Sequence, residues 1–160
     1  MSRKLILMLL AEDNPSDADL VLASLARDGL ADSVHVAHDG VEALDFAFCR
    51  GQYADRDCAP ALRVIVLDVK LPKIDGFEVL RELRANPRTC RIPVVMLTSS
   101  NIERDVARGY ELGANSYLQK PVDFQRFRET VRHLGVYWMT MNEPLPEMPV
   151  GESAERAGIA

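Results

Sequence analysis

No stretch of this 160-residue chain approaches the ~18–20 consecutive apolar residues that a helix needs to cross a bilayer. The apolar segment Leu5–Ala11 ends in Glu12-Asp13 and lacks a small-residue cleavage site, so it reads as a buried strand rather than a signal peptide. A basic excess is also missing. Nineteen Lys+Arg face 24 Asp+Glu, for a net charge of -5. That sign argues against nonspecific partners of the nucleic-acid or anionic-membrane type. Cysteine is scarce, with three residues (Cys49, Cys58, Cys90), an odd number without CxxC spacing. They read as neither a disulfide framework nor a zinc site, and a reducing cytoplasm is the expected location. Three histidines (His35, His38, His133) lack the surroundings of a kinase or phosphotransfer helix and receive no role. What remains is the composition of one globular domain, 48% hydrophobic and 27% charged.

Apolar runs alternate with amphipathic ones. Leu5–Leu10, Val34–Ala37, Arg63–Leu67, Pro93–Leu97 and Ser116–Gln119 read as strands, the longer ones continuously apolar as in a sheet covered on both faces. After the first, Asn14-Pro15 offers a cap and a helix start, and Ala18, Val21, Leu22 and Leu25 follow at helical spacing. Val41–Phe48, Phe77–Ala85 and Glu103–Leu112 read as further helices, and Arg50–Pro60 as a polar loop. A last helix carries Phe124, Phe127, Val131 and Leu134 as its core stripe. Five strands, each followed by a helix, predict an α/β fold: a five-stranded parallel sheet, doubly wound by right-handed crossovers.

Such sheets gather ligands beyond the carboxyl ends of their strands. Those ends are Glu12-Asp13, Asp68, Thr98 and Lys120-Pro121. Each alone has a bland reading as a cap, a solvated charge or a helix starter. Together they do not. Three carboxylates in one crevice repel by on the order of 4 kcal/mol per close pair at intermediate dielectric. A hard cation, Mg²⁺ or Mn²⁺, would neutralise them. Carboxylate, cation, lysine and hydroxyl are the groups that stabilise a phosphoryl group in transfer, and a carboxylate can itself be the nucleophile.

Four segments carry a resemblance over residues ~5–135: Leu10-Ala11-Glu12-Asp13-Asn14, Val66–Gly76, Val95–Ser100 and Ala114–Pro121. In this order at successive strand ends, they resemble the receiver domain of two-component response regulators. The resemblance implies a CheY-like (βα)5 fold with strand order 2-1-3-4-5. It implies Asp68 as phosphoacceptor, with Mg²⁺ held by Asp13, by Glu12 through water, by Asp68 and by the backbone carbonyl of Lys70. Thr98 and Lys120 would hold phosphoryl oxygens, Ser99 would keep the phosphoryl group reachable, and Tyr117 would be an aromatic switch. The partner so implied is a histidine kinase, and the protein would be a phosphoprotein that gains and loses its own phosphoryl group rather than a turnover enzyme. The loop Arg50–Pro60, the stretch Arg91–Ser100 and the tail with Tyr137-Trp138 and Pro144-Leu145-Pro146 resemble regulators paired with bacterial phytochrome kinases.

Two other chemistries fail on the residues. A flavodoxin-type carrier needs a small-residue phosphate loop where Glu12-Asp13 stand. A haloacid-dehalogenase-type phosphatase needs an aspartate where Lys70 stands. A phosphate sink or shuttle without its own effector remains as the alternative function. Residues 1–135 are expected to form the receiver and 136–160 an extension, partly disordered and too short for a DNA-binding or enzymatic output domain. Output through contacts with a downstream protein follows. Tyr137, Trp138 and Met139, in an apolar cluster beyond the last core stripe, are expected to support a homodimer.

Overall fold

A computed structural model of the chain describes residues 5–58, 61–100 and 102–146. The expected extension is therefore seen only to residue 146, and its residues 147–160 lie outside the described residues. Five strands form one parallel sheet: β1 (Met8–Ala11), β2 (Val34–Ala37), β3 (Val64–Leu67), β4 (Val94–Thr98) and β5 (Ser116–Gln119). Their order is β2-β1-β3-β4-β5, as the resemblance implied. The helices are α1 (Pro15–Ala26), α2 (Gly40–Ala47), α3 (Gly76–Ala85), α4 (Glu103–Glu111) and α5 (Phe124–Val136).

The strands β1, β3 and β4 are buried along their whole length, which is why they lack polar alternation. One face of the sheet packs Leu9, Ile65, Leu67 and Met96 against Leu44, Phe46, Leu80 and Leu83. The other packs Met8, Leu10, Val64 and Val66 against Val21, Leu25, Phe127 and Val131. Helix starts follow their caps: the Asn14 side chain accepts from the backbone N–H of Ser16 and Asp17, and Asp39, Asp75 and Asp123 do the same job for α2, α3 and α5.

Three expectations need correcting. Phe124 has helical spacing to the core stripe but is the first residue of α5 and is 58% exposed. Met139 is not available for a dimer contact: it is 1% exposed, inside the chain's own core. α5 runs into a five-residue π-helical turn, Tyr137–Met141, and that turn aims Met139 inward, where the Arg63 guanidinium donates to its carbonyl at 3.0 Å. Trp138 is half-buried against the same cluster, and only Tyr137 stays exposed. Finally, Cys49 and Cys58 are disulfide-bonded, with Cα atoms 6.1 Å apart, while Cys90 is free. The residues between them are not a plain polar loop; Gly51–Tyr53 makes a 3-10 turn that folds the two cysteines together.

Candidate functional site

Register places the chemistry. Ala11 on β1 pairs with Leu67 on β3, so Glu12-Asp13 and Asp68 leave the sheet side by side. The backbone N–H of Asp68 donates to the Ala11 carbonyl (3.1 Å), fixing that juxtaposition. On the far side, Thr98 pairs with Gln119, and the Lys120 N–H donates to the Thr98 carbonyl at 2.7 Å. The five residues thus line one crevice at the carboxyl edge of the sheet.

Glu12, Asp68 and Thr98 are buried there, and Asp13 is exposed at the mouth. One carboxylate oxygen from each of Glu12, Asp13 and Asp68 lies within 4.8 Å of the others. The Lys120 ammonium has three donors and spends all of them on carboxylates: Glu12 Oε2 at 2.7 Å, Asp68 Oδ2 at 2.9 Å and Asp17 Oδ2 at 2.9 Å. Burial opposes the charge on Lys120, but its bonds to Glu12, Asp17 and Asp68 outweigh that and hold it protonated above the ordinary lysine range. Burial pushes the Glu12 carboxyl up to about 7, with Lys120 pulling the other way. The donor set is all oxygen and partly open to water at Asp13, which suits a small hard cation.

The expected switch residues meet at a residue that the sequence did not single out. Ser100 donates its backbone N–H to Thr98 Oγ1 (3.3 Å), accepts at its carbonyl from the Tyr117 hydroxyl (3.0 Å), and donates its own hydroxyl to Asp105 Oδ2 (2.7 Å). Burial raises the Tyr117 phenol above its ordinary value, so it stays a donor. Ser99 is exposed at the crevice mouth. Lys70 is exposed, and its backbone N–H is 3.4 Å from Asp68 Oδ1. The sequence reading also missed Asp17. It stands in the first turn of α1, where an acid complements the helix dipole, and its bond to Lys120 spans 103 positions.

A doubly wound sheet with an acidic crevice, a buried lysine and a hydroxyl at its carboxyl edge defines the receiver class of phosphorelay signalling proteins. The comparisons agree. Residues 8–132 match the model of the response regulator receiver domain family, and the chain belongs to that family. The regulator Rcp1 of Synechocystis sp. is 37% identical over 132 residues, covering 82% of this chain and 88% of its own. A crystal structure of the Mn²⁺-bound form of Rcp1 superposes with a TM-score of 0.79 at 35% identity, over 87% of this chain and 98% of that one. FilR2 of Methanothrix harundinacea, a probable methanogenesis regulatory protein, is 37% identical over 136 residues, 85% of each chain. The bacteriophytochrome response regulator AtBRR is 46% identical, with a TM-score of 0.67 over 88% of this chain and 100% of that one. The protein is therefore a phosphorelay response regulator homologous to phytochrome-linked regulators, and a histidine kinase is its partner in kind.

Proposed function

We propose that Asp68 is the phosphoacceptor and that a phytochrome-type histidine kinase supplies the phosphoryl group. The observation that carries this reading is the Asp68 carboxylate: buried at the end of a central strand, 2.9 Å from the Lys120 ammonium and grouped with the oxygens of Glu12 and Asp13. An Asp68 oxygen attacks the phosphorus of the donor's phosphohistidine. The P–N bond breaks, its electron pair returns to the imidazole, and an acyl phosphate remains on Asp68. Lys120 moves its donors onto the phosphoryl oxygens, and the Thr98 hydroxyl leaves Ser100 to do the same. Glu12, Asp13 and Asp68, with the carbonyl of Lys70, would hold Mg²⁺, or Mn²⁺ in its place; the bound cation supplies neutralisation of charge on the phosphoryl oxygens. The small exposed Ser99 leaves the site reachable.

The protein acts stoichiometrically, gaining and losing its own phosphoryl group, and is not a turnover enzyme. The shared grip of Thr98 and Tyr117 on Ser100 supports an output through protein contacts over a phosphate sink, because it ties the site to the surface of α4 and β5. That output, a cytoplasmic location and a homodimer using the exposed Tyr137 belong to the same reading. Likeness to AtBRR supports the bacteriophytochrome pairing.

The test is labelling with acetyl phosphate or a phosphorylated kinase, read by intact mass. One added phosphoryl group is expected, lost on chelation of divalent ions and absent in Asp68→Asn. Equal labelling of Asp68→Asn would reject the assignment.

A further inference from the structure

A second group of reactive side chains gathers at the end of α2, away from the acidic crevice. Cys49 follows the helix in the left-handed region (φ +53°) and meets Cys58 across the turn. Arg56 lies between them, with Nη1 2.9 Å from Cys49 Sγ and 3.9 Å from Cys58 Sγ. This guanidinium is held from other sides too: it donates to the Phe46 carbonyl at 2.9 Å and sits 3.9 Å over the Phe46 ring. Phe46 in turn stacks on His35, and Tyr53 meets both rings edge-on while donating its hydroxyl to Glu42 at 2.8 Å.

A fixed cation beside two sulfurs has a specific chemical effect. It favours the thiolate, which is both the attacking form and the better leaving group in thiol–disulfide exchange. Both cysteines are half-buried, within reach of a small thiol. In the reducing location that the proposed function assigns, a cysteine pair of this kind is generally catalytic or redox-sensing rather than structural. We infer that Cys49 and Cys58 form a reversible dithiol–disulfide site, activated by Arg56, that exchanges with low-molecular-weight thiols of the glutathione class.

In the oxidising direction the Cys49 thiolate attacks one sulfur of glutathione disulfide. A mixed disulfide forms, and one glutathione thiolate leaves and takes up the proton that Cys49 gave. The Cys58 thiolate then attacks the Cys49 sulfur, closing the protein bond and releasing the second glutathione, which is protonated in the same way. Two electrons pass from the cysteine pair to glutathione disulfide, which ends as two thiols. The closed bond tethers residues 50–57, and with them Tyr53, to the outer end of α2.

The inference uses the proposed location but not the proposed phosphoacceptor, so its test is independent of Asp68. The full chain is equilibrated in buffers of varied ratio of glutathione to its disulfide, quenched in acid and labelled with N-ethylmaleimide. Intact mass should show three labels under reducing conditions and one, on Cys90, under oxidising ones, with Cys49 and Cys58 protected together within the glutathione range. Cys58→Ser should abolish the paired transition and accumulate the mixed disulfide. In the reduced protein near neutral pH, Arg56→Gln should slow alkylation of Cys49 about tenfold, the effect of one unit in thiol pKa, with Arg56→Lys restoring most of the rate. Amides of residues 50–57 should exchange faster once the bond opens. A pair that stays oxidised across the whole range, or stays labelled throughout, would overturn the inference; an unchanged rate in Arg56→Gln would remove Arg56 from it.

Discussion

Lys120 is the residue on which the resting site turns, and Asp17 is the partner that distinguishes its setting. Two of its three carboxylates belong to the acidic crevice, while Asp17 reaches in from α1 and is about a third exposed by side chain. An incoming phosphoryl oxygen must compete with it for an ammonium proton. Asp17→Asn is therefore expected to leave stability within about 1 kcal/mol, as for a partly exposed ion pair, and to tighten beryllofluoride binding roughly threefold. Titration followed by amide NMR measures the second effect and urea unfolding the first. His35 gives a residue-level effect of another kind. Burial holds it below the ordinary histidine value, with Glu42 pulling the other way. The Tyr53 hydroxyl, already donating to Glu42, accepts from His35 Nε2–H, which suits the neutral ring. A histidine kept neutral by the fold is protonated first in the unfolded chain, so stability is lost as pH falls below 6.5. Replacing it, as in His35→Phe, should flatten the pH dependence of Tm in that interval.

At the scale of elements, the turn from β3 into α3 sets the distance between the acceptor and its helix. Gly76 opens α3 against the backbone, and a Cβ there would run into the Asp68 carbonyl, which cannot step aside as a flexible side chain could. Gly76→Ala should cost upward of ~2 kcal/mol and lower Tm by several degrees, measured by calorimetry. This region shows what sequence can carry. Continuous apolar runs mark β1, β3 and β4 because both faces of each are covered, and the rule for parallel sheets then gathers Glu12, Asp13, Asp68, Thr98 and Lys120 without further information. Boundaries shift by a residue or a few: the apolar run begins at Leu5, which is exposed, and β1 starts at Met8. Asp17 and Ser100 were not legible, since each works through a partner distant in sequence and each has an adequate local reading as a helix-start acid or a loop hydroxyl. The cysteine pairing depends on the 3-10 turn between Cys49 and Cys58, which a segment of polar character does not declare. Phe124 shares the helical period of the core stripe, but a period says which face a residue shares and not whether the first turn of a helix is covered.

For the whole molecule, the end of α5 is part of the domain and not an appendage to it. The π-helical turn rotates Met139 into the cluster formed by Leu10, Leu25 and Val64, a placement that a 3.6-residue period does not forecast. Met139→Ala should cost about 2–5 kcal/mol in urea unfolding, as for other buried methionines. Truncation after Gly135 should destabilise the monomer, so the self-association attributed to this region is better tested by Tyr137→Ser, with sedimentation expected to show a weaker dimer and unfolding to show little change. Ser100 carries a consequence for the molecule as a partner in signalling. Its amide, carbonyl and hydroxyl answer to Thr98, Tyr117 and Asp105, so one short loop reports at once to the crevice and to the surface of α4 and β5. Thermodynamic linkage makes such coupling run both ways: whatever favour the phosphoryl group confers on a surface arrangement, a ligand of that arrangement must return to the phosphoryl group by an equal factor. A downstream protein that captures Tyr117 turned away from Ser100 would therefore also bias the phosphorylation equilibrium of its own messenger, and the abundance of the target would enter the signal alongside the activity of the kinase.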